Sequence, residues 1–278
     1  MILLEAAALA DPGRVRSLNE DRAWMQIFTA SGGEAVGLFI VCDGIGGHQG
    51  GEVASHWAVE AARKHISPLF TPPDPRSTLL LSQRELEAAV AGKEITRYAS
   101  SEKHEEIVRQ AIERANQVVL DVARQKPNQA ANAGTTITMA VVIGSRAVIG
   151  NVGDSRTYLL RDGRLVQLTE DHSLVARMAA SGLISRADIF VHPQRNLIYR
   201  SLGQKSELTV DIFVQYLQSG DYLLLCSDGL WEMVQDEKVM ARLVLESGSP
   251  QLACQKLIEA ANQAGGQDNI SAVVVKVI

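Results

Sequence analysis

The sequence contains few cysteines, and they lie far apart. Among its 278 residues only Cys42, Cys226 and Cys254 are cysteines, and no Cys-x-x-Cys pair occurs. This scarcity excludes a disulfide framework and argues against a structural zinc site, because both need several suitably spaced cysteines. We therefore expect a reducing compartment. Cys42 and Cys226 also lack the basic neighbours that activate a nucleophilic thiolate, so we expect both to be buried core residues.

Long apolar runs and an excess of positive charge are also missing. The longest apolar runs, such as Ile137–Ile143, are far shorter than the roughly 20 residues that span a bilayer. The apolar start at residues 1–10 has no basic leader, and we interpret it as an edge strand. The formal net charge of −5 argues against a nucleic-acid-binding protein. We expect a soluble, cytoplasmic protein with no nucleic-acid or membrane partner.

Short β-like segments alternate with turn signals in the middle and at the end of the chain. Gly144-Ser145 and Asp162-Gly163 separate adjacent apolar runs and are typical of tight hairpins, which indicates antiparallel sheet. The predicted strands cover residues 37–42, 135–143, 146–152, 158–160, 208–214, 222–226 and 270–277.

Three segments have the spacing of amphipathic helices. Residues 53–65 and 107–122 carry stripes at helical spacing. The third helix begins at Ser249-Pro250, an N-cap followed by proline, and ends at Gly265-Gly266. The proline-rich residues 68–75 are interpreted as a loop. Strands followed by paired helices, twice over, predict an α+β sandwich of sheets covered by helices.

Four aspartates share one setting, the end of an apolar strand beside glycine. Asp43, Asp154 and Asp228 each follow a predicted strand, and Asp268 directly precedes the last one. Carboxylates on such rigid positions suit hard cations such as Mg²⁺ or Mn²⁺, which prefer oxygen ligands. The alternative is that each Asp-Gly pair is simply a turn, since this dipeptide is a common turn signal. Sequence spacing alone does not establish that the four side chains converge.

Seven short motifs, read in order along the chain, resemble those of the metal-dependent (type 2C) protein phosphatases, in particular the compact bacterial members. The motifs are Arg16-Ser17-Leu18-Asn19-Glu20-Asp21, Asp43-Gly44-Ile45-Gly46-Gly47-His48, Gly134-Thr135-Thr136, Asn151-Val152-Gly153-Asp154-Ser155-Arg156, Thr169-Glu170-Asp171-His172-Ser173, Cys226-Ser227-Asp228-Gly229-Leu230-Trp231 and Asp268-Asn269. The resemblance covers nearly the whole chain. It implies one domain over residues 1–278 with a four-layer α-β-β-α sandwich around two central antiparallel sheets.

The resemblance also implies a set of cation ligands. Asp43 is expected to bridge two divalent cations, Mn²⁺ or Mg²⁺. Asp228 and Asp268 are expected to complete one of them, and the carbonyl of Gly44 is expected to serve the other. Two cations about 3.5–4 Å apart can bind one water between them and lower its pKa towards neutrality. The implied reaction is attack of that water on the phosphorus of phosphoserine or phosphothreonine, without a phosphoenzyme.

Further roles follow from the same resemblance. Either Glu20 or Asp21 is expected to hold water on the second cation, and Asp154 is expected to help Asp228 bind a third, weaker one. Arg16 is the candidate clamp for the substrate phosphate, because a guanidinium presents paired donors to phosphate oxygens. The alternatives are that Arg14 takes this role or that Arg16 is an ordinary surface residue.

The proton donor is the most open position. Some family members have histidine directly after the Asp-Gly pair, where this chain has Ile45; its histidine follows later, at His48. His48 is the candidate general acid, but it could instead orient a metal-bound water or cap a turn. His172 is expected to be structural.

The expected substrates are phosphorylated proteins, and a serine/threonine kinase and its targets are the expected partners. Residues 171–203 resemble the family's flap beside the active site, although 187–190 are less acidic than expected. Two other hypotheses remain. One is a non-catalytic module that binds a phosphoprotein or kinase, which should have lost its metal aspartates. The other is a phosphatase of small metabolites, which uses the same metal chemistry.

Overall fold

A computed structural model describes residues 2–29, 35–46, 50–67, 90, 101–130 and 133–278. The strands are β1 (Leu4–Asp11), β2 (Arg22–Thr29), β3 (Ala35–Cys42), β4 (Gly44–Ile45), β5 (Gly134–Thr135), β6 (Ile137–Ile143), β7 (Arg146–Val152), β8 (Arg156–Arg161), β9 (Arg164–Gln167), β10 (Asp211–Tyr216), β11 (Tyr222–Cys226) and β12 (Ile270–Val277). The helices are α1 (Gly50–Ile66), α2 (Ser101–Gln125), α3 (Pro127–Ala130), α4 (Leu174–Ala180), α5 (Asp228–Trp231), α6 (Glu237–Leu245) and α7 (Pro250–Gln263), with a 3₁₀ helix at Ala187–Phe190.

Two five-stranded sheets form the centre of the fold. The first has the strand order β1-β12-β11-β8-β9 and the second β10-β7-β6-β3-β2, and neighbouring strands in both are antiparallel. The predicted hairpin turns join β6 to β7 and β8 to β9. Asp162 and Gly163 both have positive φ, 51° and 74°, as a two-residue hairpin turn with right-handed strand twist requires.

The layering follows from strands that are apolar on both faces. Every residue of β3 is buried, and its side chains alternate between two cores. Leu38 and Ile40 face α1 and α2, whereas Phe39 and Val41 pack between the two sheets. A third core lies between the first sheet and helices α6 and α7. The predicted four-layer α-β-β-α sandwich is therefore confirmed, because alternate side chains of a central strand serve both of its neighbours.

Most of the predicted elements are present, with shifted ends. The predicted helices fall within α1, α2 and α7, and the Ser249 hydroxyl caps α7 by accepting a 3.3 Å hydrogen bond from the Leu252 amide. The strand predicted at 208–214 was placed too early, since β10 begins at Asp211. The one predicted at 135–143 is divided into β5 and β6. The loop predicted at 68–75 lies outside the described residues.

Other sequence expectations concern burial and the membrane. The N-terminal segment forms β1 at the edge of the first sheet, as predicted. Cys42, Cys226 and Cys254 are buried free thiols, and burial raises the pKa of Cys254 to about 12. None of the helices in the described part of the chain is long and apolar enough to span a membrane.

Candidate active site

The four glycine-flanked aspartates come together at one end of the two sheets. Asp43, Asp154, Asp228 and Asp268 line a single cavity of about 340 Å³. They reach it from the ends of β3, β7 and β11 and from the start of β12. Each aspartate directly follows or precedes a strand of one of the two antiparallel sheets. The order of the strands in the sheets therefore brings residues from distant parts of the chain close together. Other residues predicted for the site also line the cavity: Arg16, Glu20 and Gly44.

Two threonines hold the backbone of Asp43. The Asp43 amide donates a 2.9 Å hydrogen bond to Oγ1 of Thr136, and the Thr135 hydroxyl donates to the Asp43 carbonyl at 2.8 Å. Thr136 Oγ1 also lies 2.6 Å from Oγ of Ser155. All three hydroxyl-bearing residues are buried. The Gly134-Thr135-Thr136 motif, for which the sequence suggested no role, therefore fixes the aspartate at the end of β3.

Two of the Asp-Gly pairs need glycine for a steric reason. A Cβ at Gly44 would lie 2.5 Å from the carbonyl oxygens of Glu20 and Gly51. A Cβ at Gly229 would overlap the carbonyl oxygen of Asn269. Backbone segments therefore cross directly beside both aspartates, an approach that only glycine permits. The turn interpretation and the site interpretation of Asp-Gly are compatible here.

Asn269 ties the N-terminal loop to the start of β12. Its side-chain oxygen accepts a 2.8 Å hydrogen bond from the Glu20 amide, and its side-chain nitrogen donates to the carbonyls of Pro12 and Leu18 at 3.0 and 2.9 Å. The loop thereby places Arg16 at the cavity wall. Arg16 Nη2 donates to Oδ2 of Asp268 at 2.8 Å, with the Arg16 side chain 53% exposed. The predicted phosphate clamp is thus paired with a predicted cation ligand.

Glu20 and Asp21, the two alternatives for the water-holding carboxylate, point in different directions. Glu20 lines the cavity. Asp21 is 1% exposed, and its Oδ2 accepts a 2.7 Å hydrogen bond from the Ser227 hydroxyl behind the cavity wall. Burial, and then the charge of Asp228, raises the pKa of Asp21 to about 7. The geometry therefore favours Glu20 for direct contact with a bound group.

The carboxyl groups of the cavity oppose each other's ionisation. Burial, followed by the charge of Asp228, raises the pKa values of Asp43 and Asp154 well above their usual range. Burial likewise raises the pKa of Asp228. Crowded buried carboxyls of this kind are stabilised by a neighbouring cation.

The cavity residues fit a pair of divalent cations. Among the residues that the structure describes, Oδ1 of Asp228 is buried with no hydrogen-bond partner. Buried carboxylate oxygens normally have a partner, so an unpartnered one facing other carboxylates suits a hard cation. No three acidic, histidine or cysteine side chains in the described part of the chain already form a metal cage. Asp268 is paired with Arg16, so cation binding at Asp268 requires that pair to open.

Two further residues of the cavity were not identified from the sequence. Glu232 and Arg195 line its outer part, and their charged groups are 3.6 Å apart. Burial, followed by the charge of Asp228, raises the pKa of Glu232 to about 7. Arg195 lies within residues 171–203, so this ion pair joins the predicted flap to the helix that begins at Asp228. The only sequence signal for Glu232 is its position directly after the Asp228 motif.

Of the two histidines considered in the sequence analysis, the structure describes His172. His172 is buried and its Nδ1 accepts a 2.9 Å hydrogen bond from the Gly153 amide, while its Nε2 lies 3.1 Å from Oδ2 of Asp211. This network supports the turn before Asp154, as expected of a structural histidine. His48, the candidate general acid, lies outside the described residues.

Comparison with known protein families identifies the family to which this chain belongs. The family model described as protein phosphatase 2C matches residues 14–261 of the chain. This chain belongs to the protein phosphatase 2C family. The resemblance found in the seven motifs is confirmed, and so is the class of enzyme, a hydrolase of phosphorylated proteins.

Individual members of the protein phosphatase 2C family match over nearly the full length. The serine/threonine phosphatase stp of Listeria welshimeri is 36% identical over 273 residues, which covers 98% of this chain and 96% of the relative. The structure of the Streptococcus agalactiae serine/threonine phosphatase has a TM-score of 0.79 at 29% identity, covering 99% of both chains. The catalytic domain of the phosphatase PstP, solved in complex with two manganese ions, has a TM-score of 0.75 at 30% identity and covers 100% of both chains.

Proposed function

We propose that this chain is a metal-dependent phosphatase that removes phosphate from phosphoserine and phosphothreonine in proteins. The observation that carries the proposal is the convergence of Asp43, Asp154, Asp228 and Asp268 on one cavity, beside an arginine. A carboxylate oxygen of Asp228 there is buried without a hydrogen-bond partner among the described residues. The relative solved with two manganese ions supports Mn²⁺ or Mg²⁺ as the cofactor.

The family resemblance implies the proposed ligands, and Asp43, Gly44, Glu20, Asp154, Asp228 and Asp268 all line the cavity. Asp43 would bridge two cations, with Asp228 and Asp268 on one and the Gly44 carbonyl and Glu20 on the other. Asp154 would share a weaker third cation with Asp228. When bound, two such cations supply an activated water as nucleophile and offset the charge that develops on the phosphate.

The chain's own groups hold the reacting parts in place. Thr136 and Thr135 fix the Asp43 backbone, so its carboxylate stays in position at the end of a rigid strand. Burial, and then the charge of Asp228, raise the pKa of Asp43 in the absence of a cation. Cation binding would favour its ionised form, since ligand carboxylates bind ionised.

Arg16 is the proposed clamp for the phosphate of the substrate. Its guanidinium donates one hydrogen bond to Asp268 and its side chain is 53% exposed at the mouth of the cavity. A cation on Asp268 would take over that carboxylate and leave the guanidinium for a phosphate dianion. A planar guanidinium can then donate two parallel hydrogen bonds to phosphate oxygens.

Three further parts of the proposal rest on sequence resemblance. His48 is proposed as the general acid for the leaving seryl or threonyl oxygen. Residues 171–203 are proposed as a substrate-facing flap of a single domain, which the contact of Arg195 with Glu232 supports. A serine/threonine kinase and its targets are the proposed partners, because the substrate must first be phosphorylated.

The test is hydrolysis of a phosphothreonine peptide by the wild type and Asp228→Asn, each with a chelator and with MnCl₂. We expect wild-type turnover only with Mn²⁺, and a loss of at least about 100-fold in Asp228→Asn, because the variant loses a charged ligand. Asp236→Asn is the matched control. Asp236 caps α6 away from the cavity, and asparagine is an equally good N-cap.

The outcomes separate the proposal from its alternatives. Full activity in the chelator would contradict a metal-dependent reaction. Absence of both Mn²⁺ binding and turnover of any phosphorylated substrate would favour a regulatory module, which should have lost its metal ligands. Turnover of phosphorylated metabolites with none of phosphopeptides would assign the same chemistry to small-molecule substrates.

A further inference from the structure

Trp231 lies directly behind the acidic cavity. It is 4% exposed and ends the one-turn helix α5, whose first residue is Asp228. Its indole N–H donates a 3.1 Å hydrogen bond to the backbone carbonyl of Asp154. One buried side chain therefore links the turn between β7 and β8, which carries Asp154, to the helix that carries Asp228.

The ring of Trp231 is itself held by Arg156. The guanidinium carbon of Arg156 lies 3.5 Å from the ring centroid, which is close stacking of a cation on an aromatic face. Arg156 is fixed in turn by hydrogen bonds to both carboxylate oxygens of Asp171, at 3.0 and 2.6 Å, and by a 3.0 Å bond to the Tyr158 hydroxyl. With its donors directed to these partners, the guanidinium forms a rigid plane against the indole.

The turn that carries Asp154 is held from two sides. His172 accepts the hydrogen bond from the amide of Gly153 at 2.9 Å, and Trp231 donates to the carbonyl of Asp154. The edge of Trp231 also meets the ring of Phe190, with centroids 6.1 Å apart. Phe190 and Asp171 both belong to residues 171–203, so the proposed flap contacts this support at two points.

We propose that Trp231, with Arg156 stacked on it, is a positioning residue that holds Asp154 and Asp228 at the separation needed to share a divalent cation. This inference rests on the proposed function, because it takes those two aspartates as cation ligands. Trp231 acts through the aspartates, since it lies behind the wall of the cavity and not among the described residues that line it. Preorganised ligands bind a cation more tightly because less conformational freedom is lost on binding.

The test is Mn²⁺ titration of Trp231→Phe by calorimetry in the absence of substrate. Phenylalanine keeps an aromatic ring for Arg156 to stack on but has no N–H for the Asp154 carbonyl. We expect the weakest-bound Mn²⁺ of the wild type to bind about fivefold more weakly in the variant, which corresponds to about 1 kcal/mol, one hydrogen bond. In phosphopeptide hydrolysis kcat should fall at low Mn²⁺ and recover at high Mn²⁺, with KM for the peptide unchanged.

Trp24→Phe is the matched control. Trp24 also lies against an arginine, with Arg63 5.7 Å from its ring centroid, but it is in β2 and does not line the cavity in the described residues. Its Mn²⁺ titration should coincide with that of the wild type. Unfolding midpoints of both variants, measured with a chelator, report the purely structural cost of losing an indole.

Each outcome decides the inference. A Trp231→Phe titration identical to the wild type would overturn it. A structural role would also overturn it. That role would be indicated if Trp231→Phe weakened every Mn²⁺ binding step equally and lowered the unfolding midpoint much more than Trp24→Phe does. If the wild type itself binds no Mn²⁺, the proposed function fails instead. Should Trp231→Phe not fold, Arg156→Lys tests the same support, and unchanged Mn²⁺ affinity in that variant would contradict the inference.

Discussion

The pH dependence of stability offers a direct test of the electrostatics of the cavity. Glu232 lies at its outer edge with a side chain 18% exposed. Burial and the charge of Asp228 raise its pKa from 4.5 to about 7. Between these two values the folded protein holds a proton that the unfolded chain has lost. Folding is therefore weakened as the pH rises through this interval, and the loss is complete above pH 7.

The replacement Glu232→Gln removes this titration. Each unit of pKa shift corresponds to about 1.4 kcal/mol, so a shift of this size amounts to about 3 kcal/mol, or about 2 kcal/mol after allowing for solvent at the exposed edge. We expect the free energy of unfolding of the wild type, measured relative to Glu232→Gln, to fall by about 2 kcal/mol between pH 5 and pH 8. Urea unfolding followed by circular dichroism, with a chelator present, measures both proteins at each pH.

Two comparisons make this experiment decisive. The free energy of unfolding of Glu60→Gln should differ from that of the wild type by the same amount at every pH between 5 and 8. The reason is that the hydrogen bond from Arg63 lowers the pKa of Glu60 below 4.5. Added Mn²⁺ should shrink the Glu232 effect, since a cation beside Asp228 offsets the repulsion that contributes to the raised pKa. The reasoning would be refuted if, in the chelator, the free energies of unfolding of the wild type and Glu232→Gln changed in parallel with pH.

Three other substitutions test the geometry of the cavity. Gly44→Ala should lower phosphopeptide kcat/KM at least about 100-fold, because its Cβ would lie 2.5 Å from backbone oxygens and displace the neighbouring aspartate; near-normal kinetics would show that the backbone can move aside. Thr136→Val should cost about 1–3 kcal/mol in urea unfolding, because the buried Asp43 amide loses its acceptor, and an unchanged midpoint would contradict that. Arg16→Lys should raise KM for the phosphopeptide about tenfold while kcat changes little, since lysine keeps the charge but not the paired donors; an unchanged KM would remove Arg16 from phosphate binding.

Much of the local structure could be predicted because it depends on neighbouring residues. The buried strand β3 is apolar throughout, and helix α7 begins where serine precedes proline. Asp162-Gly163 predicts a hairpin because both residues tolerate positive φ. The strand predicted at 208–214 was misplaced because β10 is an edge strand, half buried, with a weaker apolar pattern.

The candidate site was predictable in its residue types and not in its arrangement. Sequence spacing offered Glu20 and Asp21 as equal alternatives, but they are adjacent residues and their side chains take opposite directions. Glu20 faces the cavity, whereas Asp21 accepts a hydrogen bond from Ser227, which lies 206 residues further along the chain. Glu232 carries no sequence signal of its own, since its raised pKa arises from burial and from Asp228.

The sequence by itself determined most of the strands, the hairpins, the family and the aspartates that stand at strand ends. These depend on local patterns of apolar, glycine and acidic residues. Only the tertiary structure decided that Asp43, Asp154, Asp228 and Asp268 meet in one cavity, that Arg16 pairs with Asp268, and that Trp231 links Asp154 to α5. The physical reason is that these contacts depend on strand order and on packing of the two sheets, which bring distant segments together and leave no periodic trace in the chain.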